Sequence, residues 1–149
     1  MSNIDDLLKN GRLKKGKYSP EMYKKEFLIA DKDLKTAKKS YEDENYKWAT
    51  IQAYYAIFHA VKALIYKSGY REESHIALKL AFKELYIDTA ILPQRVYITF
   101  ERGINLREMA DYKDTYSQNG AENLIELVMK SLKEIEVVLL PEKEGEMHA

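Results

Sequence analysis

Residues 48–67 read WATIQAYYAIFHAVKALIYK. No Gly or Pro interrupts them, and at 3.6 residues per turn they make one helix of about five turns. Apolar residues occupy nearly its whole circumference: Trp48, Ile51, Ala53, Tyr54, Tyr55, Ala56, Ile57, Phe58, Ala60, Val61, Ala63, Leu64 and Ile65. A helix apolar on every side is buried and wrapped by other elements. The stretch has the length of a membrane span. Gln52, His59 and Lys62 in its middle, with several tyrosines, favour instead the core of a helical bundle with no membrane. Polar groups in a core helix need partners, so a site is expected along the same helix.

Downstream, Ser68-Gly69 stops the helix, with Gly69 as a left-handed terminator. After a turn over 70–73, Ser74 is placed to cap a shorter helix carrying His75, Leu78, Phe82 and Leu85. Residues 87–92 form a loop or tight turn. Pro93 opens the next helix, whose inner face is Val96, Phe100, Gly103, Leu106 and Ala110. Gly103 costs helix stability relative to Ala, so its expected use is close approach of a neighbouring backbone. Beyond Tyr112 the pattern stops. Asn119 with Glu122 matches a capping box, and Leu124, Leu127, Val128, Leu132, Ile135, Val138 and Leu139 form the last stripe, which Pro141 ends.

Upstream, Ser19-Pro20-Glu21 is a helix start. Tyr23, Phe27, Ala30, Leu34, Ala37 and Tyr41 then recur at threes and fours, with lysines on the opposite face. Before them lies a polar lead. Ile4, Leu7 and Leu8 can make one amphipathic turn, and Lys9, Arg12, Lys14, Lys15 and Lys17 cluster around Gly11 and Gly16. The cluster reads either as a basic arm for a phosphate backbone or as a solvated, frayed terminus, and the second is the simpler. The organisation is thus a polar lead over 1–18, a single helical domain over 19–140 and a charged tail over 141–149, expected to be disordered. The architecture is all-α, an antiparallel up-and-down bundle of about five helices without an alternating strand pattern.

Composition narrows the function. The chain has 149 residues, enough for one domain with a real core. Its 24 basic and 24 acidic side chains cancel formally, which argues against wholesale non-specific binding to nucleic acid but not against a local basic face. With no cysteine, disulfides, thiolate zinc sites and cysteine nucleophiles are excluded. The opening MSNIDDLLKN has no apolar signal segment, so a cytoplasmic protein is expected. Glycine-rich phosphate loops, HExxH, GxSxG and Asp-rich metal loops are all missing, and no metal or cofactor is expected.

Two constellations remain. His59 sits in the central helix, where a histidine is more often a hydrogen-bonded core residue than a catalyst. His75, at a helix start, is read as capping or packing, and His148 belongs to the tail. The other constellation is Arg107-Glu108-Met109-Ala110-Asp111-Tyr112. On a helix Arg107 and Asp111 are i and i+4 and face each other. This is either a local ion pair at a helix end or an arginine poised to grip a phosphate by two hydrogen bonds, with the Tyr112 hydroxyl close by. With five arginines and twelve tyrosines in the chain, chance alone supplies such an Arg–Tyr spacing often enough that the pair by itself proves nothing.

The segment AYYAIFHAVKALIYKSGYREESHIAL, followed about thirty residues later by LREMADY, resembles the small stand-alone prokaryotic HEPN domains over roughly residues 20–140. The resemblance implies a HEPN-like four-helix core plus a short extra helix. It implies a homodimer, often paired with a minimal nucleotidyltransferase. It also implies activity as the toxin half of a toxin–antitoxin pair, with RNA or a nucleotide as ligand and metal-independent endoribonuclease chemistry in many members. The family signature is an arginine and a following histidine with four to six residues between them. Arg107 matches the arginine, with Asp111 orienting the phosphate. The histidine is absent: Tyr112, Lys113 and Asp114 occupy its positions. A histidine with pKa near 6.5 takes a proton from a ribose 2′-hydroxyl at neutral pH, whereas a tyrosine near 10 is a poor base. Two readings stay open. In one, His59 supplies the base and Tyr112 is the AMP acceptor. In the other, the chain is a non-catalytic dimeric nucleotide- or protein-binding module. In both, Tyr54 and Tyr55 are the expected contacts to RNA or nucleotide.

Overall fold

The structure is a computed structural model and describes residues 3–141. Six α-helices account for most of it: α1 (Asn3–Lys9), α2 (Pro20–Glu42), α3 (Tyr46–Lys67), α4 (His75–Phe82), α5 (Gln94–Tyr112) and α6 (Gln118–Leu139). The all-α bundle expected from the sequence is the observed architecture. No helix among the described residues is long and apolar enough to cross a membrane.

The central helix is the hub: α3 packs on α2, α5 and α6. Ala53, Ala56, Ile57, Ala60, Val61, Ala63, Leu64 and Ile65 are completely or almost completely buried. Small residues on several sides let three long helices approach one axis closely. Trp48, counted with the apolar circumference, is 47% exposed in the first turn, where Lys47 lies 5.8 Å from its ring centroid. Along one side, Gln52, Tyr55, His59 and Lys62 stay half-buried at spacings of three and four. Gln52 Oε1 there accepts a 2.7 Å hydrogen bond from Ser40 Oγ. Gly69 ends the helix at φ +88°, as its position predicts.

At Gly103 an added Cβ would lie 3.4 Å from Tyr54 Cδ1 and 3.7 Å from the Tyr54 Cα. The missing side chain therefore brings α5 against α3 at the residue that floors the site described below. Ser74 caps α4 through a 3.1 Å hydrogen bond from the Ala77 amide. The helix then widens into a single π turn over Lys83–Ile87.

Two local expectations differ from what is observed. Helix α6 begins one residue after Ser117, whose Oγ accepts from the Gly120 amide at 2.9 Å. The Asn119–Glu122 capping box does not form; Glu122 Oε2 instead accepts from the Tyr41 hydroxyl at 3.1 Å. Ser19 precedes α2 with extended backbone, but its side chain makes no capping hydrogen bond.

The largest departure is the lead. Residues Leu13–Lys15 form strand β1 and Tyr70–Glu72 form strand β2, an antiparallel ribbon pairing Leu13 with Glu72 and Lys15 with Tyr70. Leu13 is 1% exposed and Ile4 and Leu7 join the core. Glu84, from the π turn, accepts the amides of Asn3 and Ile4 at 3.1 Å each, which closes the start of α1. From Asn3 onward the lead is packed structure and not a frayed terminus. The tail from 142 on, with His148, lies outside the described residues.

Candidate functional site

Arg107 is in the last third of α5, one helical turn from its end. Its guanidinium is mostly covered, the side chain being 19% exposed. Nη2 donates a 3.2 Å hydrogen bond to the Tyr55 hydroxyl on α3 and lies 3.3 Å from Asp111 Oδ2. The i,i+4 pairing read from the sequence is present. Three aromatic rings surround the cation, with centroids 5.8 Å (Tyr54), 5.7 Å (Tyr55) and 5.2 Å (Tyr112) from its central carbon. Each is within the range of a cation–π attraction. Burial alone pulls the guanidinium pKa down; Tyr55, Tyr112, Asp111 and Tyr54 outweigh it, and the pKa ends above its usual value. Arg107 is therefore a fixed cation. Its Nε is buried with no hydrogen-bond partner among the described residues. A buried unpaired donor beside a cavity marks a group that an incoming acceptor can satisfy.

The tyrosines divide by role. Tyr54 is 3% exposed, and burial, only partly offset by Arg107, pushes its hydroxyl up to about 12. It is a neutral floor. Tyr55 is partly buried and its hydroxyl is occupied by Arg107. Tyr112 is 71% exposed, so its hydroxyl is available to a large partner while its ring lies against the cation.

His59 is held elsewhere. Its Nδ1 lies 2.8 Å from Glu26 Oε2 and its Nε2 3.9 Å from Asp33 Oδ2, both on α2. Burial pushes the Glu26 carboxyl up, but the His59 hydrogen bond and the charges of Lys62 and Lys25 pull harder, leaving it below its usual value. At Asp33 burial prevails over His59, and the carboxyl is raised. The ring of His59 meets the Arg107 network through other aromatic rings, Tyr55 at 6.4 Å and Phe58 at 5.2 Å between centroids.

A cavity of about 230 Å³ opens beside Arg107 between α3, α4 and α5. Tyr54, Phe58, Phe100 and Ile104 give it apolar walls; Arg107, Lys79, Glu108 and His75 supply the polar groups. The sequence reading placed His75 as a cap or packing residue. Ser74 does the capping, and His75 faces the same space as Arg107. The signal in the sequence was only that a histidine at a helix start need not point into the helix.

The sequence matches the HEPN domain over residues 23–138. The chain belongs to the HEPN domain family. Two archaeal proteins are similar to this HEPN chain, both from Methanocaldococcus jannaschii. "Putative toxin MJ0605" is 30% identical over 115 residues, 72% of this chain and 86% of that protein. "Putative toxin MJ0142" is 31% identical over 86 residues, 58% of each chain. The HEPN match spans α3, α4 and α5, so Arg107 and the cavity lie inside it. No cluster of His, Cys, Asp and Glu suited to a metal ion occurs among the described residues.

Proposed function

We propose that this HEPN protein is the toxin half of a toxin–antitoxin pair, that it binds RNA through Arg107, and that its Tyr112 accepts AMP from a partner nucleotidyltransferase. The observation carrying the reading is the Arg107–Tyr112 arrangement: a covered, permanently charged guanidinium 5.2 Å from the ring of a tyrosine that is 71% exposed. A guanidinium preorganised by Tyr55 and Asp111 suits a phosphate. The site requires no metal to hold that charge. A tyrosine beside it suits modification, because an AMP phosphate added at Tyr112 arrives next to Arg107 and competes with RNA for it. In that transfer the Tyr112 oxygen attacks the α-phosphorus of ATP and pyrophosphate leaves with its electron pair; the phenolic proton goes to the transferase's own base. The protein works as a homodimer in the cytoplasm, where RNA and ATP are at hand.

The second reading, a non-catalytic dimeric nucleotide- or protein-binding module, is favoured by two observations: Tyr112 stands where the family places its histidine, and His59 is committed to Glu26. It shares the Arg107 site and differs only in chemistry.

To test the first reading, the protein is incubated with a minimal nucleotidyltransferase from the same genome and ATP, and its intact mass is measured. A gain of one AMP that disappears in Tyr112→Phe is expected. No gain, or a gain that persists in Tyr112→Phe, overturns the acceptor role.

A further inference from the structure

We infer that His75 is the proton-transfer residue of the Arg107 site, and that the cavity between α3, α4 and α5 receives the ribose and base of the nucleotide whose phosphate lies on Arg107. This rests on the RNA-binding reading and adds a base to it.

The two histidines of the described helices differ in a way that bears on chemistry. Both nitrogens of His59 face carboxylates. His75 has no hydrogen-bond or ion-pair partner among the described residues, and its ring contact is with Phe58, 5.2 Å between centroids. An imidazole oriented by an aromatic face, with its nitrogens uncommitted, is free to exchange a proton with a ligand. The Ser74 cap fixes the backbone that carries it.

The other polar groups of the cavity are less suited. Lys79 is bound to Glu101 at 3.0 Å, and that hydrogen bond raises its pKa, so it remains a cation and adds to the positive field around a phosphate. Tyr54 is held neutral by burial. Glu108 is exposed on α5, and carboxylates as a class are weak bases toward a ribose hydroxyl. The groups facing His75 are thus Lys79 on its own helix, Arg107 and Glu108 on α5, and Tyr54 on α3. Phe58, Phe100 and Ile104 offer the apolar surface on which a base can stack.

The step is a transesterification. The ribose 2′-oxygen bonds to phosphorus as His75 takes its proton, and the bond from phosphorus to the 5′-oxygen breaks. The 5′-oxygen leaves with a proton from water, and the imidazolium returns its proton to solvent. The products are a 2′,3′-cyclic phosphate and a 5′-hydroxyl, with no redox change and no cofactor.

The test is cleavage and binding of an end-labelled, mixed-sequence RNA by the full chain in EDTA. The variants are His75→Gln, His75→Gly and Arg107→Ala, with thermal melts of each. Wild type is expected to leave 2′,3′-cyclic phosphate ends. His75→Gln is expected to bind RNA within about twofold of wild type but to cleave about 100-fold more slowly or worse. Imidazole in solution restores part of the rate to His75→Gly, a rescue that a packing role would not produce. Because His75 is exposed, the melting temperature of His75→Gln should match wild type; should the glutamine variant fail to fold, His75→Asn replaces it. Cleavage at the wild-type rate by a folded glutamine or asparagine variant overturns the assignment. RNA binding by wild type without cleavage also overturns it, yet leaves the Arg107 site standing. Absence of RNA binding removes both.

Discussion

Arg107 donates a hydrogen bond to the hydroxyl of Tyr55, 52 residues earlier in the chain, and this bond ties the last third of α5 to the middle of the buried helix α3. The guanidinium is thereby aimed before any ligand arrives. Tyr55→Phe removes the acceptor and keeps the ring. The expected result is a stability loss of about 1 kcal/mol in denaturant unfolding and a severalfold weaker affinity for RNA. An unchanged affinity would show that Asp111 alone orients the cation.

Gly103 ties the same two helices by its lack of a side chain. An alanine there meets Tyr54 at ordinary contact distance and gains helix propensity, so Gly103→Ala should be close to neutral. Gly103→Leu must push α5 off Tyr54 and should lose about 1–3 kcal/mol. Denaturant unfolding of the two variants checks this, and RNA binding should fall with the second only.

Leu13→Ala should destabilise the protein by about 2–5 kcal/mol, the range for truncating a fully buried leucine. Lys15→Ala, on the exposed side of the same strand, should change stability by less than about 0.5 kcal/mol. Equal, small effects in urea unfolding would return the lead to a solvated terminus.

Glu72 ends the ribbon with Oε1 buried and without a partner among the described residues. Burial raises its carboxyl pKa, with Lys62 opposing. A raised carboxyl contributes most below its unfolded pKa, near 4.3, and its contribution is lost as pH rises through the higher folded value. Glu72→Gln removes that loss. The variant should therefore melt above wild type at pH 7, and the gap should close below about pH 4. A variant less stable than wild type at pH 7 would mean that the carboxylate is held by Lys62 more strongly than its burial opposes.

The long helices were legible because their apolar residues recur at threes and fours over several turns. The stop at Gly69 was legible because only glycine takes a positive φ cheaply, and the close approach at Gly103 because a glycine inside a helical pattern usually has a packing reason. The β1–β2 ribbon was not. Three residues per strand carry too little alternation to register, and Leu13 pairs with a segment far along the chain. Ser117 outcompeted Asn119 as a cap through loop geometry that local pattern does not encode. At the site, the Arg107–Asp111 pair followed from helical spacing alone. That His75 and Arg107 line one cavity depends on how α4 folds back against α3 and α5, a tertiary relation that no spacing in the chain announces.

The account turns on Arg107 as the group that holds an RNA phosphate. A titration of fluorescent RNA by anisotropy, with wild type, Arg107→Lys and Arg107→Ala at equal salt, measures this directly. A charge-assisted bond is worth about 1.5–3 kcal/mol, so Arg107→Ala should bind roughly 10- to 100-fold more weakly, with Arg107→Lys between the two because it keeps the charge and loses the fork. Equal affinity for all three proteins, each folded by its melting curve, would contradict the account.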